Sequence, residues 1–328
     1  MIITRTPLRV SLCGGGTDLP EFYHNHGGAV VSFAVDKYIY VCVNKKFDGG
    51  MRVSYSITEN VGEADQLKHD IVREALKAFN AHAIEVVSVA DIPGGGSGLG
   101  SSSSFAVGLS LALNRYFDKP INVHPCVLAE QAYNIERELC GHPVGKQDHY
   151  AAAYGGFRFY EFNQDNTVTV QPVRLSNDTQ QELESKLLLF WLGSTRHATA
   201  ILKDQARGIK EDSSVDVNAC AMYDCATHLF NDLSANDISR VGLFLHENWE
   251  LKKTLALGIS NRIVDDYYDR AMAAGAEGGK LCGAGGAGFL LFYAPLDKHY
   301  AIEEEIGLRC VPFHISNGGS RIIYEDNK

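Results

Sequence analysis

The chain has 328 residues, 45% hydrophobic and 21% charged, a balance that excludes a disordered, collagen-like or coiled-coil protein and predicts two domains. Thirty Lys plus Arg face forty Asp plus Glu, a net charge of −10, so no general attraction to nucleic acid or anionic lipid is expected and any phosphate site must be local. The eight cysteines include no Cys-x-x-Cys pair, which predicts free thiols rather than a disulfide framework or a zinc site. In chain order, residues 2–10, 29–36 and 38–44 read as strands rich in Val, Ile and Tyr. Between them His24 and His26 have no ordered ligand set and read as a polar loop. Residues 65–79 carry Leu67, Ile71, Leu76 and Phe79 at helical spacing, and 84–90 alternate as a strand that runs into a glycine loop. Helices are predicted over 101–117 and 127–139, the second ending before Gly141 and Pro143. Strands at 157–162 and 167–173 precede the polar stretch 176–185, which sets the domain boundary, giving units 1–175 and 176–328. The second unit reads as a strand at 187–192, helices near 197–208, 218–232, 236–256 and 261–274, and a strand at 289–293. No run reaches the roughly 20 apolar residues that span a bilayer and the opening text MIITRTPLRV has no secretory signature, so a cytoplasmic protein is expected.

The densest chemical signal is Pro93-Gly94-Gly95-Gly96-Ser97-Gly98-Leu99-Gly100-Ser101-Ser102-Ser103-Ser104, between a strand and an amphipathic helix. Glycines let backbone approach an anion, the helix start offers unpaired N–H groups, and serine hydroxyls add donors or metal ligands. A plain linker would not run straight into a periodic helix. The loop is not G-x-x-x-x-G-K-[ST], which occurs nowhere in the chain. The pattern G-x-G-x-x-G at Gly283, Gly285 and Gly288 precedes a strand where a dinucleotide fold needs a helix.

Two further segments stand out. Pro7-Leu8-Arg9-Val10-Ser11-Leu12-Cys13-Gly14-Gly15-Gly16-Thr17-Asp18 joins a basic residue, a tight turn and a carboxylate; Asp18 either accepts from sugar hydroxyls or caps the turn. Glu136 and Asp148 flank a Gly/Pro turn at a spacing that can fold both acids toward one cleft, as phosphoryl transfer to an alcohol requires: one acid for Mg²⁺ and one for the hydroxyl proton.

Together and in this order, these segments resemble the GHMP small-molecule kinases, the family of galactokinase, homoserine kinase, mevalonate kinase and phosphomevalonate kinase. The third family motif is matched by Lys280-Leu281-Cys282-Gly283-Ala284-Gly285-Gly286-Ala287-Gly288, where Cys282 replaces the usual hydroxyl residue and Ala287 a glycine. The resemblance implies an α+β fold, with an N-terminal α/β domain containing a left-handed crossover and a C-terminal ferredoxin-like domain. ATP and Mg²⁺ are implied as cofactors, with ATP held by Pro93 through Ser103. It implies Asp148 as the catalytic carboxylate, Arg9 as its basic partner, and Ser102 and Glu136 as Mg²⁺ ligands. The turn Gly14-Gly15-Gly16-Thr17-Asp18 replaces the G-E-H-T-D of galactokinase-like members and resembles the branch that phosphorylates the anomeric hydroxyl of heptose phosphates and fucose. The implied acceptor site comprises Gly15, Gly16, Thr17, Asp18, Lys37, Gln147, Gly285 and Gly286, with Arg196 leading Lys37, Lys146 and Arg158 as the partner of an acceptor phosphate. A sugar phosphate and ATP are the implied partners, a homodimer stays open, and another sugar acceptor or an idle sugar sensor on the same fold are the rival readings.

Overall fold

A computed structural model describes residues 1–93, 95–118, 124–195 and 199–326. Gly94 and Arg196, both expected at the site, lie outside the described residues. The chain opens with β1 (Ile2–Cys13) and, after the glycine turn, helix α1 (Pro20–His26), whose Pro20 sits at a first-turn position where its missing N–H costs nothing. The region expected as a polar loop around His24 and His26 is therefore helical.

The two strands expected at 29–36 and 38–44 are one, β2 (Gly28–Lys45). Along β1, Leu8 faces Val35 and Pro7 faces Tyr38, so Asp36 and Lys37 bulge out of the ladder. Pro7 has no N–H to donate and a bulge removes the demand for one, which is why a polar pair that looks like a turn in sequence is a kink within one strand. A hairpin of β3 (Met51–Ser54) and β4 (Thr58–Val61) follows, then α2 (Asp70–Ala78) and β5 (Ile84–Ala90). Helix α3 (Ser101–Tyr116) leads to α4 (Pro125–Tyr133), which continues into a wider π-helical turn, Asn134–Leu139. Then come α5 (Gln147–Tyr154), β6 (Phe157–Phe162) and β7 (Val168–Pro172).

The second half contains α6 (Asn177–Ser185), β8 (Leu187–Trp191), α7 (Thr199–Glu211), α8 (Ser213–Ser234), α9 (Val241–Thr254) and α10 (Arg262–Ala273). It closes with β9 (Gly278–Leu281), β10 (Phe289–Tyr293), α11 (His299–Ile306), β11 (Arg309–Cys310) and β12 (Arg321–Glu325). The first sheet has the order β12-β1-β2-β5-β3-β4. On its second edge β2 pairs β6 through Gly28–Phe33 and β5 through Ile39–Lys45, a division its 18 residues make possible. The last strand thus crosses back to the first sheet, Ile2 facing Glu325. The other sheet, β11-β8-β10-β9, is antiparallel throughout.

Helix α3 is apolar on nearly every face because it runs through the middle of the molecule, against β1 and β2. Its core continues into the second half: Cys225, Ala226 and Leu229 of α8 and Phe244 and Leu245 of α9 are buried with Val31 and Phe33 of β2. The two halves therefore share apolar packing, and the motifs collect where they meet.

Candidate active site

The glycine loop begins where β5 ends and enters α3 through Gly100, whose φ of 75° is left-handed. Gly100 supplies no capping side chain, so no cap among the described residues competes with an anion for the first-turn N–H groups of α3 at the positive end of the helix dipole. Gly96, Gly98, Gly100, Ser101, Ser102 and Ser103 all line the cleft. The loop is braced from behind by the third motif. A Cβ on Gly98 would lie 2.3 Å from the Cys282 carbonyl oxygen, and one on Gly283 would lie 2.5 Å from the Cα of Gly98. Both residues have positive φ, so two backbones touch at a point that no side chain can enter.

Arg9 joins this loop to the acid. From β1 its Nε donates to Asp148 Oδ1 and its Nη2 to Oδ2, both at 2.7 Å, while Nη1 donates to the Gly98 carbonyl at 2.7 Å. Two parallel charge-assisted bonds fix the plane of the carboxylate. Asp148 sits in the first turn of α5 and keeps 23% of its side chain exposed to the cleft, so it is held in one orientation and still reachable.

Glu136 lies in the π-helical turn after α4, a distortion that recurs at functional sites. Its Oε1 accepts from Ser102 Oγ and its Oε2 from Ser103 Oγ at 2.8 Å and from buried His149 at 2.8 Å. Burial alone would raise its pKa, but hydrogen bonds from His142, His149 and Ser102 prevail and hold the carboxyl far below the usual range. His142 bridges Glu136 to Asp70, and those two carboxylates push its imidazole up to about 9. Of the four serines, Ser104 turns away to the Pro7 carbonyl and only Ser102 is exposed.

The opposite wall comes from the second half. Lys280 Nζ donates to the Ser11 carbonyl at 2.8 Å and to Ser11 Oγ and the Leu12 carbonyl at 3.3 Å. Lys252 Nζ donates to the Gly15 carbonyl at 2.7 Å and to Gln205 Oε1 at 3.2 Å, leaving one N–H without a partner among the described residues. Burial, and after it the charge of Lys280, draws the Lys252 amine down to about 7. Asn248 Oδ1 accepts from Gly14 N at 2.9 Å. Gln147 Oε1 and Gln205 Nε2 are buried without a hydrogen-bond partner among the described residues, an arrangement that normally marks the place of a polar ligand.

Asp18 is buried and organises the glycine turn after β1. Its Oδ1 accepts from Gly16 N and Gln147 Nε2 at 2.9 Å, and its Oδ2 from Gln147 N at 3.1 Å. Burial and the charge of Asp148 push its pKa up against these donors. Gly145 permits the approach, since a Cβ there would lie 1.9 Å from Asp18 Oδ2. Behind the glycine loop a second, apolar pocket is lined by Tyr55, His69, Ile71, Val89, Ile92 and Phe105, with Gly95, Ser101 and Ser102 on its rim. Val89 is 63% exposed there, and burial pushes the His69 imidazole toward its neutral form.

The structure thus gathers Arg9, Gly15, Gly16, Asp18, Ser102, Glu136, Gln147 and Asp148 in one cleft. Other expected site residues fall elsewhere. Thr17 is fully buried and ties the Gly14 and Ala29 carbonyls together. Lys37 pairs with Asp36 at the bulge in β2. Gly286 packs on Ile259, which also closes over Gly285, while Gly283 and Ala284 face the cleft instead. Pro93 is exposed outside the cleft lining; Ser97 and Leu99 are buried beneath it, where Leu99 accepts from Arg9 N. Of the rival cations, Lys146 is committed to Glu130 and the Asn166 carbonyl, and Arg158 to the Gly155 carbonyl. The sequence reading missed Lys252, Gln205 and Asn248, which sit on helices with no motif around them.

Residues 69–156 match the GHMP kinases N terminal domain and residues 229–307 the GHMP kinases C terminal domain. The chain is a GHMP kinase. It is 32% identical over 314 residues to the D-glycero-alpha-D-manno-heptose 7-phosphate kinase of Campylobacter jejuni, with 91% of each chain covered. It is 27% identical to the L-fucokinase/L-fucose-1-P guanylyltransferase of Bacteroides fragilis, over 88% of this chain and 34% of that longer protein. A crystal structure of a D-glycero-D-manno-heptose 1-phosphate kinase from Bacteroides thetaiotaomicron has the same fold, with a TM-score of 0.79, 24% identity and 100% of both chains covered. This GHMP kinase is accordingly a sugar kinase that uses ATP to phosphorylate an alcohol group, with the α+β architecture of that family. No helix among the described residues is long and apolar enough to cross a membrane.

Proposed function

We propose that this kinase transfers the γ-phosphoryl group of ATP to the anomeric C1 hydroxyl of D-glycero-D-manno-heptose 7-phosphate, giving the 1,7-bisphosphate. The observation that carries this reading is the Gly14-Gly15-Gly16 turn beside Asp148, in a chain 32% identical to a heptose 7-phosphate kinase across 91% of both lengths. A Cβ on Gly16 would lie 2.1 Å from Gln205 Nε2 and 3.0 Å from Lys252 Nζ, so a bulkier residue at this turn would displace the polar side chains that face it.

In this reading the apolar pocket takes the adenine and the α3 N-terminus with its glycine loop takes the phosphates. Ser102 and Glu136, hard oxygen donors side by side on the cleft wall, fit Mg²⁺, which when bound supplies charge neutralisation at the β- and γ-phosphates. Asp148, its oxygens aligned by Arg9, orients the acceptor hydroxyl and receives its proton. Arg9 also holds the Gly98 carbonyl, so acid and phosphate cradle keep a fixed separation. Asp18 fixes the acceptor loop and Gln147 presents its free Oε1 to a ring hydroxyl. Lys252, a cleft cation on the wall opposite Asp148 with an N–H that no described residue takes, meets the acceptor phosphate; Arg196 stays its rival for that role.

The test is ADP release with Mg-ATP against heptose 7-phosphate, heptose 1-phosphate, fucose and galactose, with the product's phosphate position read by phosphorus NMR. A new anomeric phosphate on heptose 7-phosphate alone is the expected result. Turnover on fucose in its place would transfer the assignment to that sugar, whose kinase is also among the relatives, and a product phosphorylated at C7 would reverse the regiochemistry.

A further inference from the structure

We propose that His26, Asp216 and Cys220 form a site for a thiophilic divalent cation of the zinc type, away from the phosphoryl-transfer cleft. His26 ends α1; Asp216 and Cys220 lie four residues apart on α8 and therefore share one face of that helix. A ligand atom from each falls within 4.8 Å of the others. His26 Nε2 already stands 3.0 Å from Asp216 Oδ1, and its ring is placed by contact with Phe22, at a centroid separation of 4.9 Å. One imidazole, one thiol and one carboxylate make the mixed nitrogen, sulfur and oxygen set that zinc accepts in tetrahedral geometry, with the fourth position open to water.

The absence of Cys-x-x-Cys spacing pointed away from such a site because the three donors come together only through packing of α1 on α8. An ordinary His–Asp ion pair accounts for two of the three groups and gives no reason for a sulfur at the third corner. The donors are reachable, with the side chains of His26 and Asp216 36% and 29% exposed. The carboxylates of Asp216 and Asp224 surround the Cys220 thiol with negative charge. A cation entering that field displaces the thiol proton to solvent and forms the metal–thiolate bond, so affinity falls as pH falls. Binding would tie α1, which begins one residue after the cleft-lining Leu19, to the second half of the chain.

The experiment is titration of the reduced, metal-free, full-length protein with Co²⁺, followed by the thiolate-to-cobalt charge-transfer absorption, with Zn²⁺ competition and thermal melting alongside. The expected result is one equivalent of charge-transfer signal, displaced by Zn²⁺, insensitive to excess Mg²⁺, and abolished in Cys220→Ser. His26→Ala weakens binding at least about tenfold, and Zn²⁺ raises Tm in the parent but not in Cys220→Ser. Should Cys220→Ser not fold, His26→Ala and Asp216→Asn are read for the same loss of signal. The proposal is overturned if the parent gives no charge-transfer band, if Cys220→Ser or both other variants keep it unchanged, or if Mg²⁺ displaces the cobalt.

Discussion

The two walls of the cleft are built differently. The first-half wall is made of contiguous segments whose side chains engage one another: Arg9 grips both oxygens of Asp148, and Glu136 is held in place by Ser102, Ser103 and His149. The second-half wall carries Lys280, whose amine is fully engaged, and Lys252, with Gln205 and Asn248 beside the Gly14–Gly16 turn leaving polar atoms without a partner among the described residues. Interlocked charged groups hold reacting atoms in fixed geometry, whereas spare donors and acceptors, Gln147 Oε1 on the first wall among them, are completed by what binds. The first should therefore govern kcat and the second the acceptor KM.

The largest effect should come from Asp148→Asn, which keeps the shape and removes the proton acceptor: kcat falls at least about 10²-fold while ATP still binds. Single-turnover kinetics beside nucleotide titration checks this, and near-normal turnover would remove Asp148 from the chemistry. Arg9→Lys comes next. A lysine cannot reproduce the paired bonds to Asp148 together with the bond to Gly98, so kcat should fall about 10- to 100-fold. A rise in KM alone would mean that Arg9 serves binding and the contrast between the walls is misplaced.

Lys252→Met should raise the KM for a phosphorylated acceptor about tenfold or more, with kcat within about threefold of the parent. The pH dependence sharpens it. Only the ammonium form pairs with an anion, so kcat/KM for that acceptor should fall as pH rises through about 7, the value to which burial draws this amine. Lys252→Arg stays charged over that range and should lose this limb. Stability runs the other way. With the folded pKa below the ordinary amine value, the unfolded chain binds the extra proton, so this lysine's cost is full below about pH 7 and fades as pH rises toward the free-amine value. Urea melts of parent and Lys252→Met should therefore converge at alkaline pH. A variant whose kcat collapses would make Lys252 part of the chemistry.

The same contrast separates what the sequence displays from what only folding assembles. Arg9, Ser102, Glu136 and Asp148 stand in segments whose glycines and polar pairs are unusual in themselves, and the three-dimensional cluster follows from the order of those segments. Lys252 and Gln205 sit on helices whose surroundings read as ordinary amphipathic text, and burial alone sets them apart. Neither the π turn that aims Glu136 nor the bulge at Asp36 and Lys37 has a composition signal, and the return of β12 to the first sheet depends on partners more than 270 residues away.

Lys37 gives the smallest expected effect and the strictest control. Its position beside matched text made it a candidate for the acceptor phosphate, yet its ammonium is spent on Asp36 where β2 leaves the ladder. Removing a partly exposed ion pair changes stability by about 0 to 1 kcal/mol, and the side chain is absent from the cleft lining. Lys37→Ala should therefore leave kcat and both KM values within about twofold of the parent, because an unscreened contact to substrate would be worth more than that. A tenfold rise in the acceptor KM would mean that the first-half wall bends at its bulge to meet the substrate, and that acceptor recognition is divided between the walls.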